Sequence, residues 1–337
     1  MILTCFIIAV GVLGAYAKSG VKDSNAKYVN PLLGTAGAVE IGGYGGTIPS
    51  TNTPFAMTHF TAMTQENYVS GCPYVYWQTT FYGFLASHQP AKWMGESGEA
   101  AISFGINEVK PAYADRGLKF NHSAETSTVS YYSVYLQDEI NKKEIFAELS
   151  GKSRAGILRL TFPEDSTPYT VIQATRKGFQ GEITVDHKRK EIYGYNPERQ
   201  DSKLGPDKAA SFKGYFVARF EEDFDSYGVA YDSSLFYNTS HGQGKVLSAF
   251  VTFPKGTKQV HLKMGVSYIS IEQARYNLDL EIPDTMTLED VSEYTWNQWS
   301  EKLDTITVYN ATNDQKEMLY SAMFHSLQFP NEMFEIT

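Results

Sequence analysis

An imidazole, a carboxamide, an indole and a carboxylate fall within one short run, Ser87-His88-Gln89-Pro90-Ala91-Lys92-Trp93-Met94-Gly95-Glu96-Ser97-Gly98. Such groups suit a polyhydroxylated ligand: a flat apolar face for its C–H side, donors and acceptors for its hydroxyls. On this reading Trp93 is the stacking residue, and His88, Gln89 and Glu96 are the polar candidates. The proline and glycines that punctuate the run make it a loop, so rigid elements must hold it from both sides.

Other chemistries fit less well. Glu96 and Glu99 stand three apart on one loop, whereas acid/base pairs need two carboxyls facing across a cleft. Gly42 to Gly46 is glycine-rich, but Pro49 and more loop follow it instead of the helix that a dinucleotide site requires. The seven histidines form no i,i+4 pair and have no cysteine partner, which argues against zinc. A net charge of −9 disfavours nucleic acid and anionic membrane surfaces as partners.

The elements that would carry the loop are strands. From Thr128 onward apolar and polar residues alternate. Val129, Tyr131, Ser133 and Tyr135 share one face, and Ile157 to Phe162 forms another strand. Ile183 to Val185 and Glu191 to Tyr193 flank a charged hairpin, and Tyr215–Phe220, Val246–Phe253 and Val260–Ile269 continue the series. With 14% aromatic residues and no βαβ alternation, the fold class is mainly β, an antiparallel β-sandwich.

The period then changes. Ser270 and Gln273 form a capping box that opens a helix over Ile271 to Leu278, which Pro283-Asp284 breaks. A second helix from Thr287 lines up Leu288, Val291, Trp299 and Leu303, and a third from about Asn313 lines up Met318, Leu319, Ala322 and Met323. The expected organisation is a signal peptide at 1–17, a sandwich at 18–269, a helical linker at 270–308 and the start of a further helical domain at 309–337. Ile2 to Leu13 followed by Ala15-Tyr16-Ala17 reads as a cleaved export signal, shorter than the roughly 18 to 20 apolar residues of a membrane span. A secreted chain with no membrane insertion after cleavage is expected. Cys72, alone once Cys5 leaves, is expected to be a buried inert thiol, and Asn121, Asn238 and Asn310 head N-x-S/T sequons.

Three segments in order carry a family resemblance. They are Val29-Asn30-Pro31-Leu32-Leu33-Gly34-Thr35, then Gly46-Thr47-Ile48-Pro49 with Pro54-Phe55-Ala56-Met57, then Gly83-Phe84 with His88-Gln89-Pro90 and Trp93-Met94-Gly95. With Ser270 to Ala274, Trp296-Asn297 and Leu319 to Ala322, they resemble glycoside hydrolase family 92, the secreted α-mannosidases. Ala56, Ser50-Thr51 and Glu96-Ser97 depart from the family's usual residues and alter the detail of the pocket.

The resemblance implies a sandwich followed by linker helices, with the chain stopping before most of an (α/α)6 barrel. It also implies calcium-dependent, inverting exo-hydrolysis of N-glycan-type mannosides, with mannose-containing glycans as partners. The catalytic carboxylates and most calcium contacts would lie in the missing C-terminal catalytic domain, leaving this chain inactive alone and without a catalytic residue of its own. The rival expectations are a free-standing lectin-like carbohydrate-binding module and a non-catalytic scaffold domain.

Overall fold

A computed structural model describes residues 23–37, 45–200 and 211–337. The expected signal segment and the stretch from Gly42 to Tyr44 lie outside them. Among the described residues, eighteen strands precede the α-helices. They are β1 (His59–Met63), β2 (Thr80–Phe81), β3 (Gly83–Ser87), β4 (Ala100–Ile106), β5 (Leu118–Lys119), β6 (Glu125–Ser127), β7 (Tyr132–Asp138), β8 (Lys143–Gly151) and β9 (Ala155–Thr161). Then follow β10 (Pro168–Gln173), β11 (Gly181–Asp186), β12 (Glu191–Asn196), β13 (Gly214–Phe220), β14 (Ser226–Tyr231), β15 (Ser234–Tyr237), β16 (His241–Gly244), β17 (Leu247–Thr252) and β18 (Gln259–Ser267). Three helices close the chain: α1 (Ile271–Glu281), α2 (Leu288–Leu303) and α3 (Asn313–Ser326).

The strands form two sheets. The smaller runs β1-β3-β4-β10-β17-β14-β15, and the larger runs β16-β11-β12-β13-β18-β9-β8-β7-β5-β2 with β6 beside β7. The pairings are antiparallel, as at Thr170↔Phe104 and Lys263↔Ile157. Alternation decides which side chains meet. Phe84, Phe104 and Ile172 of one sheet pack against Leu149, Leu158 and Leu262 of the other in a single buried core. The strand with Tyr135 begins at Tyr132, so Val129 and Tyr131 precede it as buried loop residues.

The helices cover the outside of the larger sheet. Leu278 of α1 and Leu288 and Val291 of α2 pack with Ala155 and Ile157. Trp299 and Leu303 of α2 and Tyr320 and Phe324 of α3 close over Ala26 and Val29. Thr287 and Thr312 each make a full capping box, with Asp290 and Gln315. Ser270 makes half of one. It accepts the Gln273 N–H at 3.0 Å, while the Gln273 side chain turns to Asn277 and the Ile336 carbonyl.

The third helix buries a different face from the one the spacing suggests. Tyr320, Ser321 and Phe324 point inward, Leu319 and Met323 are half-buried, and Met318 and Ala322 face outward. Tyr28 stacks on Tyr320 and Trp299 packs against Phe324, so these aromatic contacts set the rotation. Beyond α3 the chain threads between sandwich and helices. The Phe55 N–H donates to the Leu327 carbonyl and the Glu332 N–H to the Phe55 carbonyl, both at 2.8 Å. Arg154 then pairs with Glu281 and Glu332.

Cys72 is buried, and burial pushes its thiol up to about 12, as expected of an inert thiol. No described helix is long and apolar enough to cross a membrane.

Candidate functional site: a loop end with one exposed indole

The Ser87–Gly98 loop leaves the end of β3 and returns to β4. Backbone contacts fix its position, among them the bond from the Gln200 N–H to the Glu96 carbonyl at 2.8 Å. The Lys92 N–H donates to the Gly46 carbonyl at 3.2 Å, the Trp93 N–H to the Val69 carbonyl at 2.7 Å, and the Gly98 N–H to the Glu198 carbonyl at 2.9 Å. The loop therefore touches the glycine-rich opening directly, and the two segments converge at one end of the sandwich. Gly98, at φ +71°, passes so near Gly214 that an added Cβ would lie 2.6 Å from its Cα. Only glycine fits that crossing.

Trp93 stands at the loop's tip, 61% exposed and at φ +73°. A bulky residue in the left-handed region costs of order 1–3 kcal/mol and persists only where its surroundings enforce it. The bond to Val69 supplies the enforcement, and the Lys92 ammonium sits 5.9 Å from the indole centroid. Tyr68 and Met94 are exposed beside it, on a turn and loop joined by the Gln89 Nε2 bond to the Tyr68 carbonyl. Tyr74 lies in the core, while Tyr76 and Trp77 are exposed and Tyr76 stacks on His122 at 4.0 Å.

The three polar candidates sit underneath, out of solvent. Glu96 is fully buried and is not a solvated loop carboxylate. One oxygen accepts the His88 and Ser97 N–H groups at 2.8 and 2.9 Å. The other accepts the Ser87 hydroxyl at 2.7 Å and the Asn67 amide at 2.8 Å. Burial alone would raise its pKa; the His88 side chain, with Ser87 and the backbone donor, outweighs that and holds it low, at about 2. Gln89 is equally sealed, its oxygen accepting from Asn67 at 2.9 Å and its nitrogen spent on Tyr68. The His88 side chain is 4% exposed. Its Nε2 meets the Thr58 hydroxyl at 3.1 Å, and Nδ1 lies 3.6 Å from Glu96, too far for a hydrogen bond. In this arrangement Gln89 and Glu96 offer a ligand no free polar atom; they position the loop that lifts Trp93.

Residues distant in sequence complete this base. Arg176, just past β10, donates to the Asn67 carbonyl and Oδ1 at 2.8 and 3.0 Å, and pairs with Glu99 and Glu198. Burial and the neighbouring carboxylates Glu198, Glu96 and Glu66 raise Glu99 well above its usual range despite Arg176. Glu96 and Glu99 therefore serve different partners and do not face each other across a cleft. Below them His59 is buried between Asn52 and Asn331. The Asn331 amide donates to its Nε2, so Nδ1 carries the proton, and burial with the nearby His88 lowers its pKa to about 3. No sequence pattern marks Asn67, Arg176, Glu198 or Asn331.

Calcium takes six to eight oxygen ligands. Glu96 has both oxygens filled by four donors, so in this arrangement it has none to spare for such an ion. Among the described residues, Glu221, Glu222 and His261 could together hold a metal ion. They bring an imidazole, and they sit at the opposite end of β13 from Gly214, about 20 Å along the strand.

The two-sheet body, its converging loops and the helices laid on its outer face are the architecture of one family of glycoside hydrolases. The chain belongs to glycosyl hydrolase family 92: the family's N-terminal domain matches residues 28–267 and its catalytic domain residues 273–337. It superposes on a family 92 inverting mannosidase from Bacteroides thetaiotaomicron with TM-score 0.83 and 26% identity, over 93% of this chain and 41% of that one. A family 92 α-mannosidase of the same organism shares the fold, with TM-score 0.76 and 22% identity over 93% of this chain and 42% of its own. The chain thus spans about two fifths of the length of these solved relatives. No curated protein matches the sequence.

Proposed function

We propose that this chain is the N-terminal part of a secreted, inverting exo-α-mannosidase that acts on N-glycan-type mannosides, with Trp93 forming one wall of the substrate pocket. The observation that carries the reading is Trp93 itself. A large indole is held in the open at a costly backbone angle, over a base of buried polar residues in which Glu96 and Gln89 are hydrogen-bonded to their neighbours. A tryptophan packed into the sandwich itself would be covered. A mannose presents a C–H face that such a ring can stack on.

His88, Gln89 and Glu96 set the loop's height and direction. Acid/base hydrolysis with inversion needs two carboxyls roughly 6.5–9.5 Å apart around a water. In this proposal they come from the remainder of the catalytic domain, as do the oxygen ligands for calcium. The chain alone should therefore bind weakly and not hydrolyse.

The test is paired. Residues 18–337 are assayed for release of mannose from an α-mannoside, and for mannoside binding by the change in Trp93 fluorescence against a Trp93→Ala control. Weak saturable binding without turnover is expected. Measurable turnover would overturn the assignment of catalysis to residues outside this chain, and tight binding without turnover would favour a lectin-like module.

A further inference from the structure

At the other end of the sandwich the chain crosses from one sheet to the other. The turn Tyr237-Asn238-Thr239-Ser240 joins β15, an edge strand of the smaller sheet, to β16, an edge strand of the larger. Asn238 is exposed at φ +56° and heads a sequon completed by Ser240. Its N–H donates to the Tyr227 carbonyl at 2.9 Å, and the Ser240 carbonyl accepts the Val185 N–H at 2.7 Å.

Those two contact residues, Tyr227 and Val185, also line an open groove of about 460 Å³ together with Thr184, Asp186, His187 and Tyr193. The groove is within the size range of small-molecule clefts, roughly 300–1,000 Å³. His187 and Tyr227 hold their rings 5.9 Å apart in it. Half-buried aromatic faces beside a hydroxyl and a carboxylate are chemistry for a saccharide. It lies at the Glu191 end of the β11–β12 hairpin, opposite the Asn196 end that bonds to Glu99.

We propose that Asn238 is an N-glycosylated residue whose first sugars lie in this groove, an intramolecular saccharide site distinct from the Trp93 loop. In the covalent step Asn238 Nδ2 attacks C1 of a polyprenyl-pyrophosphate-linked oligosaccharide. The C–N bond forms as the C1–O bond to pyrophosphate breaks, and the amide nitrogen gives up one proton. Tethering then raises the local sugar concentration, so a groove too shallow to hold a free saccharide can hold this one. Of the proposed function, this inference rests only on the secretory route.

The full chain is secreted from a eukaryotic cell behind a heterologous leader, which separates a failure of its own signal from a failure of the acceptor. Glycopeptides are mapped by mass spectrometry. Hydroxyl-radical labelling of Tyr193 and Tyr227 is then compared before and after enzymatic glycan release, and with Ser240→Ala and Asn238→Gln. Expected are occupancy of Asn238 and labelling of both tyrosines about threefold lower with the glycan attached. Agreement of two substitutions with enzymatic release guards against a local misfold in either. An unoccupied Asn238, or occupancy with unchanged labelling, overturns the proposal.

Discussion

Trp93 and Glu96 are three residues apart on one loop and live in opposite worlds. The indole is mostly in solvent at a strained angle; the carboxylate is sealed, ionised and bonded by four donors. The contrast separates two jobs that composition merges. A residue that meets a ligand must keep a free surface, whereas one that fixes a loop must spend every polar atom on its neighbours. The substitutions below test whether those jobs separate as cleanly in energy as they do in space.

The largest stability effect should come from the sealed side. Glu96→Ala leaves four donors facing an empty site, and breaking a buried charged network of this kind costs about 3–5 kcal/mol. Equilibrium denaturation should register it, and Glu96→Gln, which keeps one acceptor oxygen, should lose less. Asn67→Ala should follow at about 2 kcal/mol, since it removes the donor to Glu96 and Gln89 and the acceptor for Arg176.

Acid should act on the same base. The unfolded His59 takes up a proton near pH 6.5 and the folded one only near 3. Between those values the unfolded chain holds more protons, so stability falls as pH drops, by at most about 1.4 kcal/mol per unit from this group. Glu96, low in the fold, adds a loss in the same direction as pH falls from 4.5 toward 2. Glu99 works the other way, because its raised pKa favours the fold in acid and loses that contribution as pH rises above 4.5. The difference between wild type and His59→Gln across pH 4.5–6.5 isolates the histidine, and that difference should grow in favour of wild type as pH rises.

The exposed side should barely register in stability. Trp93→Ala is expected to shift unfolding by no more than about 0.5 kcal/mol. Trp93→Gly, which relieves the positive φ, should leave the protein as stable or up to about 1 kcal/mol more so. Both should weaken mannoside binding.

Much of this architecture could be read from the chain. Strands with strong apolar alternation, such as Tyr215–Phe220, fall within a residue of their place. The helix that aligns Leu288, Val291, Trp299 and Leu303 buries all four. The strands from Ser226 to Gly244 are not legible, because an exposed edge such as Ser234-Leu235-Phe236-Tyr237 carries little hydrophobic periodicity. Spacing alone does not choose the face of α3, because Met318 with Ala322 and Tyr320 with Phe324 both recur at i,i+4. Packing of Tyr28 and Trp299 chose between them.

The candidate site divides similarly. Trp93 and its loop stood out by residue type and glycine spacing. The residues that hold it, Asn67, Arg176 and Glu198, come from segments separated by up to 131 positions and meet only through the sheet order. Nothing local in the sequence distinguishes a buried Glu96 from a solvated one.

The most direct test of the division between display and support is the kcat/KM for an α-mannoside of the enzyme that carries these residues with its whole catalytic domain. Wild type and Trp93→Ala would be compared, with thermal unfolding recorded on the same samples. A fall of about tenfold or more in kcat/KM at an unchanged unfolding midpoint is the predicted result, equivalent to at least about 1.4 kcal/mol of lost transition-state binding. An unchanged kcat/KM would contradict the account.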